Sequence, residues 1–211
     1  MKAGKEDPQR IGERRGKASE PRPDGPLVWF HAASVGESLS LMELVEQLIE
    51  ERPEIHVLMT TGTKSSAELM AQRLPDQCIH QFIPVDAAPF VKAFLDHWRP
   101  DLAIWTESEL WPNLIVQTDT RDIPMVLLNA RMSLKSHQNW RWFPAFAGSL
   151  LNRFDHILVQ DKNTALSLKR LGALPWRVPI NASLPPTTGA SPPPADEPIP
   201  PAQPPLTPTR C

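Results

Sequence analysis

Glu37 is the first residue in the sequence whose position suggests chemistry. It lies in the stretch HAASVGES, between the apolar run LVWF and a segment with helical periodicity. A carboxylate at such a strand-to-helix turn could act as a general base by accepting the proton of a hydroxyl group. It could equally cap the helix or complement its dipole, and the spacing leaves both roles open. Ser34 and Gly36 of the same turn could contact a ligand, because small residues and free amides allow close approach.

Two acidic residues of the stretch TESELWPN form a second candidate group. Glu107 and Glu109 follow a predicted strand, and a carboxylate can orient sugar hydroxyls by accepting two or more hydrogen bonds. Acidic side chains that are simply solvated would produce the same sequence. Pro112, which follows them, is typical of a first helical turn.

Two further turns could bind an anion. The stretch TTGTKSS contains Thr61 and Gly62 at the start of a predicted helix, where free amides can form an anion-binding nest. Helix capping by a threonine or serine is the alternative there. The stretch NARMS contains Asn129 and Arg131, and this arginine could clamp a phosphate or a carboxylate, or lie on the surface.

The composition bounds the class of protein. The chain has 211 residues and a net charge of −2, which argues against a general nucleic-acid binder. Its two cysteines, Cys78 and Cys211, are far apart and are typical of a reducing compartment rather than a disulfide framework. No His/Cys spacing is typical of a metal site, so we predict neither a metal nor a cofactor. No apolar run approaches the roughly 18–20 residues of a membrane span.

Short apolar runs alternate with segments of helical periodicity, and this order predicts the elements that position the candidate residues. The fold class is therefore α/β, a Rossmann-like doubly wound parallel sheet. Ligands of such sheets bind beyond the carboxyl ends of the strands, which is where the candidate residues fall. The predicted strands lie at residues 26–32, 55–61, 78–86, 101–107, 124–131 and 156–160.

Three segments differ in composition. Residues 1–25 are almost entirely polar, and residues 26–178 are predicted to form the globular domain. Residues 179–211 consist mainly of proline and small polar residues. Proline lacks an amide donor, and this segment has too few apolar side chains to offset the entropy of ordering. We therefore predict a disordered tail.

The stretch KSHQNWRWF, residues 135–143, interleaves basic residues with tryptophan. Such a pattern suits contact with an anionic membrane surface. Aromatic side chains that pack a helix onto the sheet would look the same, and here a long helix is predicted over residues 137–154.

The strand-end stretches, taken in order, resemble one family. RIGERRG, HAASVGES, TTGT, PVD, TESELWPN, NARMS and LGA are similar to the N-terminal half of the 3-deoxy-D-manno-octulosonic acid (Kdo) transferases. The resemblance covers roughly residues 5–178. It implies the acceptor-binding half of a two-domain GT-B glycosyltransferase that moves Kdo from the donor substrate CMP-Kdo to a lipid A precursor in lipopolysaccharide biosynthesis.

The resemblance also implies roles and a location. Glu37 matches the family's general base, and its carboxylate is then expected to point into open space at the cleft mouth. After Glu37, the resemblance implies that the acidic residues Glu107 and Glu109 have a functional role, as substrate-binding residues. The family acts peripherally at the cytoplasmic face of the inner membrane, and we expect no transmembrane segment in this chain.

The sequence departs from the family after LGA, where a proline-rich segment stands in place of the nucleotide-sugar domain. We therefore expect that the C-terminal donor domain is missing and that this chain alone is inactive, either as a fragment or frameshift or as an authentic short form. Two alternatives to the transferase are a non-catalytic module that binds phospholipid or lipid A, and an unrelated parallel-sheet protein with structural glutamates.

Overall fold

The computed structural model describes residues 7–106, 110–130, 143–159 and 161–178. The strands of this part are β1 (Leu27–Ala32), β2 (His56–Thr61), β3 (Cys78–Phe82), β4 (Leu102–Thr106), β5 (Met125–Leu128) and β6 (His156–Ile157). They form one parallel sheet in the order β3-β2-β1-β4-β5-β6. The strand order reverses between β1 and β4, and this reversal is the topological switch point of a Rossmann-like sheet. The predicted fold class is confirmed.

The helices of the described residues connect consecutive strands or follow the last one. They are α1 (Val35–Glu51), α2 (Lys64–Arg73), α3 (Ala88–Trp98), α4 (Pro112–Asp119), α5 (Pro144–Leu151) and α6 (Lys162–Arg170), with 3₁₀ turns at Glu13–Arg15 and Pro175–Arg177. The helix predicted over residues 137–154 is described only from Pro144 onward, because residues 131–142 lie outside the described part.

Local sequence explains where these helices begin. Ser34, Thr63 and Asp161 each accept a hydrogen bond from a backbone amide three residues further on, which satisfies a free donor of α1, α2 and α6. The helices α3, α4 and α5 instead carry a proline in their first turn, where the missing amide costs nothing.

The two faces of the sheet carry separate apolar layers. In β1, Trp29 belongs to the apolar cluster that includes side chains of α3 to α6, whereas Phe30 belongs to the cluster that includes side chains of α1 and α2. Both side chains are fully buried. Burial on both faces explains why the strands read as nearly continuous apolar runs.

The polar N-terminal segment packs onto the sheet, where Arg10 donates to the backbone oxygen of His80 in β3. Glu13 is only 2% exposed, and its carboxylate accepts a hydrogen bond of 2.7 Å from the amide of Phe82. The packed unit therefore begins well before residue 26, where composition places the domain boundary. At the other end, Val178 is 2% exposed and belongs to the core. The predicted disordered tail, residues 179–211, lies outside the described residues.

Candidate functional site

The carboxyl ends of the central strands lie level with one another. Ala32 of β1 pairs with Thr61 of β2, and His31 pairs with Trp105 of β4. Thr106 is the last residue of β4 and therefore lies beside the end of β1. The carboxyl ends of β1, β2 and β4 thus lie at one edge of the sheet, as the sequence predicts.

Glu37 lies in the first turn of α1 at this edge, beside the switch point. Its Oε2 accepts hydrogen bonds from the amide of Ala33 at 2.8 Å and from the hydroxyl of Thr106 at 3.2 Å. Its Oε1 accepts one from the hydroxyl of Ser34 at 2.7 Å. The amide of Glu37 donates in turn to Ser34 Oγ at 3.3 Å. Ser34 and Glu37 therefore cap α1 reciprocally, much as in a capping box, except that the carboxylate accepts from the Ser34 hydroxyl and the Ala33 amide rather than from the Ser34 amide.

The expectation of an outward-pointing carboxylate is wrong. Glu37 is 7% exposed, and all three donors hold the carboxylate against the start of α1. The capping geometry, which the sequence left as an alternative, is present. A cap and a base are not exclusive, because each carboxylate oxygen has two lone pairs. The catalytic role of Glu37 stays a prediction.

Thr106 and His31 connect Glu37 to the interior of the sheet. The Thr106 hydroxyl also lies 3.0 Å from the backbone oxygen of His31. The His31 ring is 2% exposed, and its Nδ1 lies 3.1 Å from Thr60 Oγ1 and 3.3 Å from the Thr60 carbonyl oxygen. Burial lowers the pKa of His31 to about 4, so the ring is neutral at pH 7.

Gly62 and Gly36 both lie at this edge, and the space around them differs. A Cβ on Gly62 would lie 3.3 Å from the carbonyl oxygen of Ala33, so a glycine lets β2's turn approach β1's turn closely. A Cβ on Gly36 would meet nothing within 4 Å. Gly36 therefore faces open space above the start of α1, where a ligand could approach the backbone.

Thr61 is fully buried rather than open to a ligand. Its hydroxyl lies 2.9 Å from Nε2 of His80. Arg10 donates to the backbone oxygen of His80 at 2.9 Å and lies 3.1 Å from its Nδ1. Burial, followed by the nearby Arg10 charge, lowers the pKa of His80 to about 3.

The RIGERRG stretch ties the ends of β2 and β3 together, a role that sequence reasoning missed. Arg14 donates to the carbonyl oxygen of Ile83 at 2.9 Å and also to that of Gly62. Arg10 forms a two-pronged ion pair with Glu13, at 2.7 and 2.9 Å. The sequence did contain a sign of the ion pair. Glu13 lies three residues after Arg10 and directly before Arg14, and this spacing suits a local ion pair.

Asp86 of the PVD stretch fixes the start of α4, which was also missed. Its carboxylate accepts hydrogen bonds from the amides of Asn113 and Leu114, at 3.1 and 2.8 Å. The Asn113 side chain donates back to the Asp86 carbonyl oxygen at 2.9 Å. This exchange holds the end of the ESELWPN stretch beside the site.

Three predicted site residues, Glu107, Glu109 and Arg131, lie outside the described residues. Asn129 is described and follows β5, with a backbone φ of 49°. Only a small fraction of non-glycine residues adopts this left-handed conformation, and asparagine does so more readily than most. The strand-end turn at Asn129 therefore has an unusual, locally costly geometry.

The described residues contain no cluster of three His, Cys, Asp or Glu side chains that could hold a metal ion. Among them there is also no helix of the length and apolar character needed to cross a membrane. A cavity of about 800 Å³ lies away from the strand ends, between the N-terminal segment and β3, and its lining includes Lys17, Glu20 and Cys78.

The fold places the chain among Rossmann-like, GT-B-type domains. The structure of UDP-GlcNAc 2-epimerase from Neisseria meningitidis bound to UDP-GlcNAc superposes with a TM-score of 0.51. The superposition covers 73% of this chain and 46% of the epimerase chain, at 10% sequence identity. At such low identity the likeness concerns the fold alone.

The chain belongs to the 3-deoxy-D-manno-octulosonic-acid transferase (Kdo transferase) family, whose model matches residues 9–184. It is 38% identical to the 3-deoxy-D-manno-octulosonic acid transferase of Rickettsia bellii over 169 residues, which are 80% of this chain and 40% of that protein. The Haemophilus influenzae transferase is 35% identical over 167 residues, 78% of this chain and 39% of that protein. The chain thus spans about 40% of the length of these relatives.

Proposed function

We propose that this chain is the acceptor-binding half of a glycosyltransferase that moves Kdo from CMP-Kdo to a lipid A precursor in lipopolysaccharide biosynthesis. The observation that carries the proposal is the position of Glu37, a carboxylate beside the β1–β4 switch point of a Kdo transferase family fold. Ligands of such sheets bind at this point. No observation on the described residues favours the non-catalytic lipid-binding module.

The proposed reaction uses Glu37 as the general base. The hydroxyl oxygen of the acceptor sugar attacks the anomeric carbon of Kdo, and the bond from that carbon to the CMP phosphate oxygen breaks. CMP leaves with the bonding electron pair, and Glu37 takes the hydroxyl proton. Since a sugar hydroxyl hardly ionises at pH 7, such a positioned base contributes about 10²–10⁴-fold in rate. Neither a metal nor a cofactor is part of this proposal.

The remaining parts of the proposal concern the acceptor and the location. Gly36 leaves space over the free amides of α1 for a polar group of the acceptor. Asn129, Glu107, Glu109 and Arg131 follow β5 or β4 and would line the same edge. A donor half would bind CMP-Kdo. We place the chain peripherally at the cytoplasmic face of the inner membrane, with the basic and aromatic segment 135–143 against anionic lipid.

The Glu37→Gln variant tests the base. Glutamine keeps the size and much of the hydrogen bonding but cannot take a proton. In this chain joined to the donor half of the Rickettsia bellii transferase, we expect kcat to fall by about 10²-fold or more. The partly lost cap should lower the free energy of unfolding by only about 1 kcal/mol.

Asp161→Asn is the matched control, because Asp161 caps α6 with bonds to Thr164. It makes the same carboxylate-to-amide change at a helix start, should lower the free energy of unfolding by no more than about 1 kcal/mol, and should leave turnover unchanged. A Glu37→Gln enzyme with wild-type turnover would exclude Glu37 as the base.

A further inference from the structure

The two oxygens of the Glu37 carboxylate are held unequally. Oε2 accepts two hydrogen bonds, from Ala33 and from Thr106, which occupy both of its lone pairs. Oε1 accepts one, from Ser34, so one lone pair of Oε1 has no donor among the described residues. The difference depends on Thr106, because without its hydroxyl each oxygen would keep a single donor.

Thr106 is unusual in joining three elements through one hydroxyl. Its side chain is 4% exposed at the end of β4 and lies 3.0 Å from the His31 oxygen on β1 and 3.2 Å from Glu37 Oε2 on α1. A hydroxyl has one proton and shares it between these two acceptors. A carboxylate oxygen is a stronger acceptor than a peptide carbonyl oxygen. The shared proton therefore contributes to the hold on Oε2, although the His31 oxygen lies slightly nearer.

We propose that Thr106 is a positioning residue that, together with the Ala33 amide, holds Oε2 of Glu37 and so leaves Oε1 as the oxygen that receives the acceptor's proton. The geometric part stands on the described contacts, and its catalytic consequence rests on the proposed function. When Oε1 takes the proton, the oxygen–hydrogen bond of the acceptor breaks and its electron pair stays on the attacking oxygen. The Thr106 bond to Oε2 persists through this step.

The Thr106→Val variant removes the hydroxyl and keeps the side-chain shape. In the full 211-residue chain, we expect amide hydrogen exchange at Ala33 to accelerate about tenfold or more, because its carboxylate acceptor is no longer held. Thr106→Ser should restore exchange to within about threefold of wild type, since it keeps the donor. Unchanged Ala33 exchange in Thr106→Val would overturn the proposal.

Thr118→Val is the matched control. Thr118 is buried, as Thr106 is, but its hydroxyl has no partner within the part of the chain that the structure describes. The same chemical change there should leave Ala33 exchange unaltered. If both valine variants accelerated exchange equally, the effect would be general loosening and the positioning role would fall.

Turnover separates this proposal from the function on which it rests. In the enzyme that carries the Rickettsia bellii donor half, Thr106→Val should lower kcat about tenfold with KM within about twofold, and Thr106→Ser should recover most of it. If Glu37→Gln left turnover unchanged, the base would be wrong, yet faster Ala33 exchange in Thr106→Val would still support the hold on Oε2. Normal turnover of Thr106→Val in an enzyme that needs Glu37 would overturn the catalytic consequence.

Discussion

At the scale of single residues, two histidines of the sheet, His31 in β1 and His80 in β3, are kept neutral by burial. His31 has its Nε2 buried with no hydrogen-bond partner among the described residues, and its pKa is lowered to about 4. His80 lies between Arg10 and Thr61, and its pKa is lowered to about 3. Because Arg10 can only donate, Nδ1 of His80 accepts and Nε2 donates to Thr61. Protonation of His80 would break this arrangement.

We expect the free energy of unfolding to fall as the pH decreases from about 6.5. Both histidines have a folded pKa below the ordinary value of 6.5, so the unfolded chain binds protons that the folded chain does not. Each contributes stability that is present above pH 6.5 and is lost as the pH falls toward its folded value, with a slope of about 1.4 kcal/mol per pH unit.

Urea unfolding of wild type and His80→Gln at pH 7, 6, 5 and 4 measures this effect. The glutamine can still accept from Arg10, so the variant should fold. The free energy of unfolding of the variant should change less steeply with pH than that of the wild type. The difference in slope should be at most that of one bound proton, about 1.4 kcal/mol per pH unit. Parallel pH profiles for the two proteins would show that His80 is not the group involved.

At the scale of elements, the N-terminal segment acts as a clasp on the sheet. Its arginines reach the ends of β2 and β3, and the amide of Val85 donates to the Arg14 carbonyl oxygen at 2.9 Å. Gly62, whose carbonyl oxygen accepts a hydrogen bond from Arg14, lies against Ala33, and the Ala33 amide donates to Glu37. The clasp thereby supports the turn that holds the candidate base.

Gly16 and Gly12 offer a matched test of the clasp. Gly16 has a φ of +76°, and a Cβ there would lie 2.0 Å from the Phe90 carbonyl oxygen. Gly16→Ala should therefore lower the free energy of unfolding by more than about 2 kcal/mol, since strain and a backbone clash add.

Gly12 has a φ of −58°, and a Cβ there would make only ordinary contacts with the Lys17 side chain. Gly12→Ala should be neutral or stabilising by up to about 1 kcal/mol. Chemical denaturation of both variants gives the comparison. Equal stabilities would mean that the N-terminal segment does not pack against Phe90 of α3.

At the scale of the whole molecule, the sheet that the described residues form carries the site at the carboxyl ends of its strands. The chain spans about 40% of the length of the relatives compared with it. The net charge of −2 gives no general attraction to an anionic surface. Membrane association would therefore depend on a local segment, and residues 135–143 combine Lys135 and Arg141 with two tryptophans.

We expect the chain to sediment weakly with liposomes that contain anionic lipid, and not with neutral ones. Each basic residue near such a surface contributes about 1 kcal/mol, so the binding should be reversible and weakened by salt. Lys135→Ala with Arg141→Ala should abolish it. The control, Lys162→Ala with Arg170→Ala on α6, removes the same charge and should leave binding intact. Equal loss in both double variants would assign the binding to net charge alone.

The sequence by itself determined the fold class and most element positions. Alternating apolar runs and helical periodicity require a parallel sheet buried on both faces, and the strand bounds agree with the predicted runs to within a few residues. The strand-end rule also brought Ser34, Gly36, Glu37, Thr61 and Gly62 to one edge. The resemblance of the strand-end stretches to the Kdo transferases predicted the family, which the family model over residues 9–184 confirms.

Only the tertiary structure decided which groups these side chains contact. The sequence places Glu37 after β1, but the Thr106 hydroxyl that binds it comes from a strand 69 residues further along the chain. The same holds for Glu13 and Phe82, which are also 69 residues apart, and for His80 and Arg10, which are 70 residues apart. Local patterns report periodicity and capping, because these depend on neighbours in the chain. Hydrogen bonds between distant segments depend on strand order and register, which no local pattern contains.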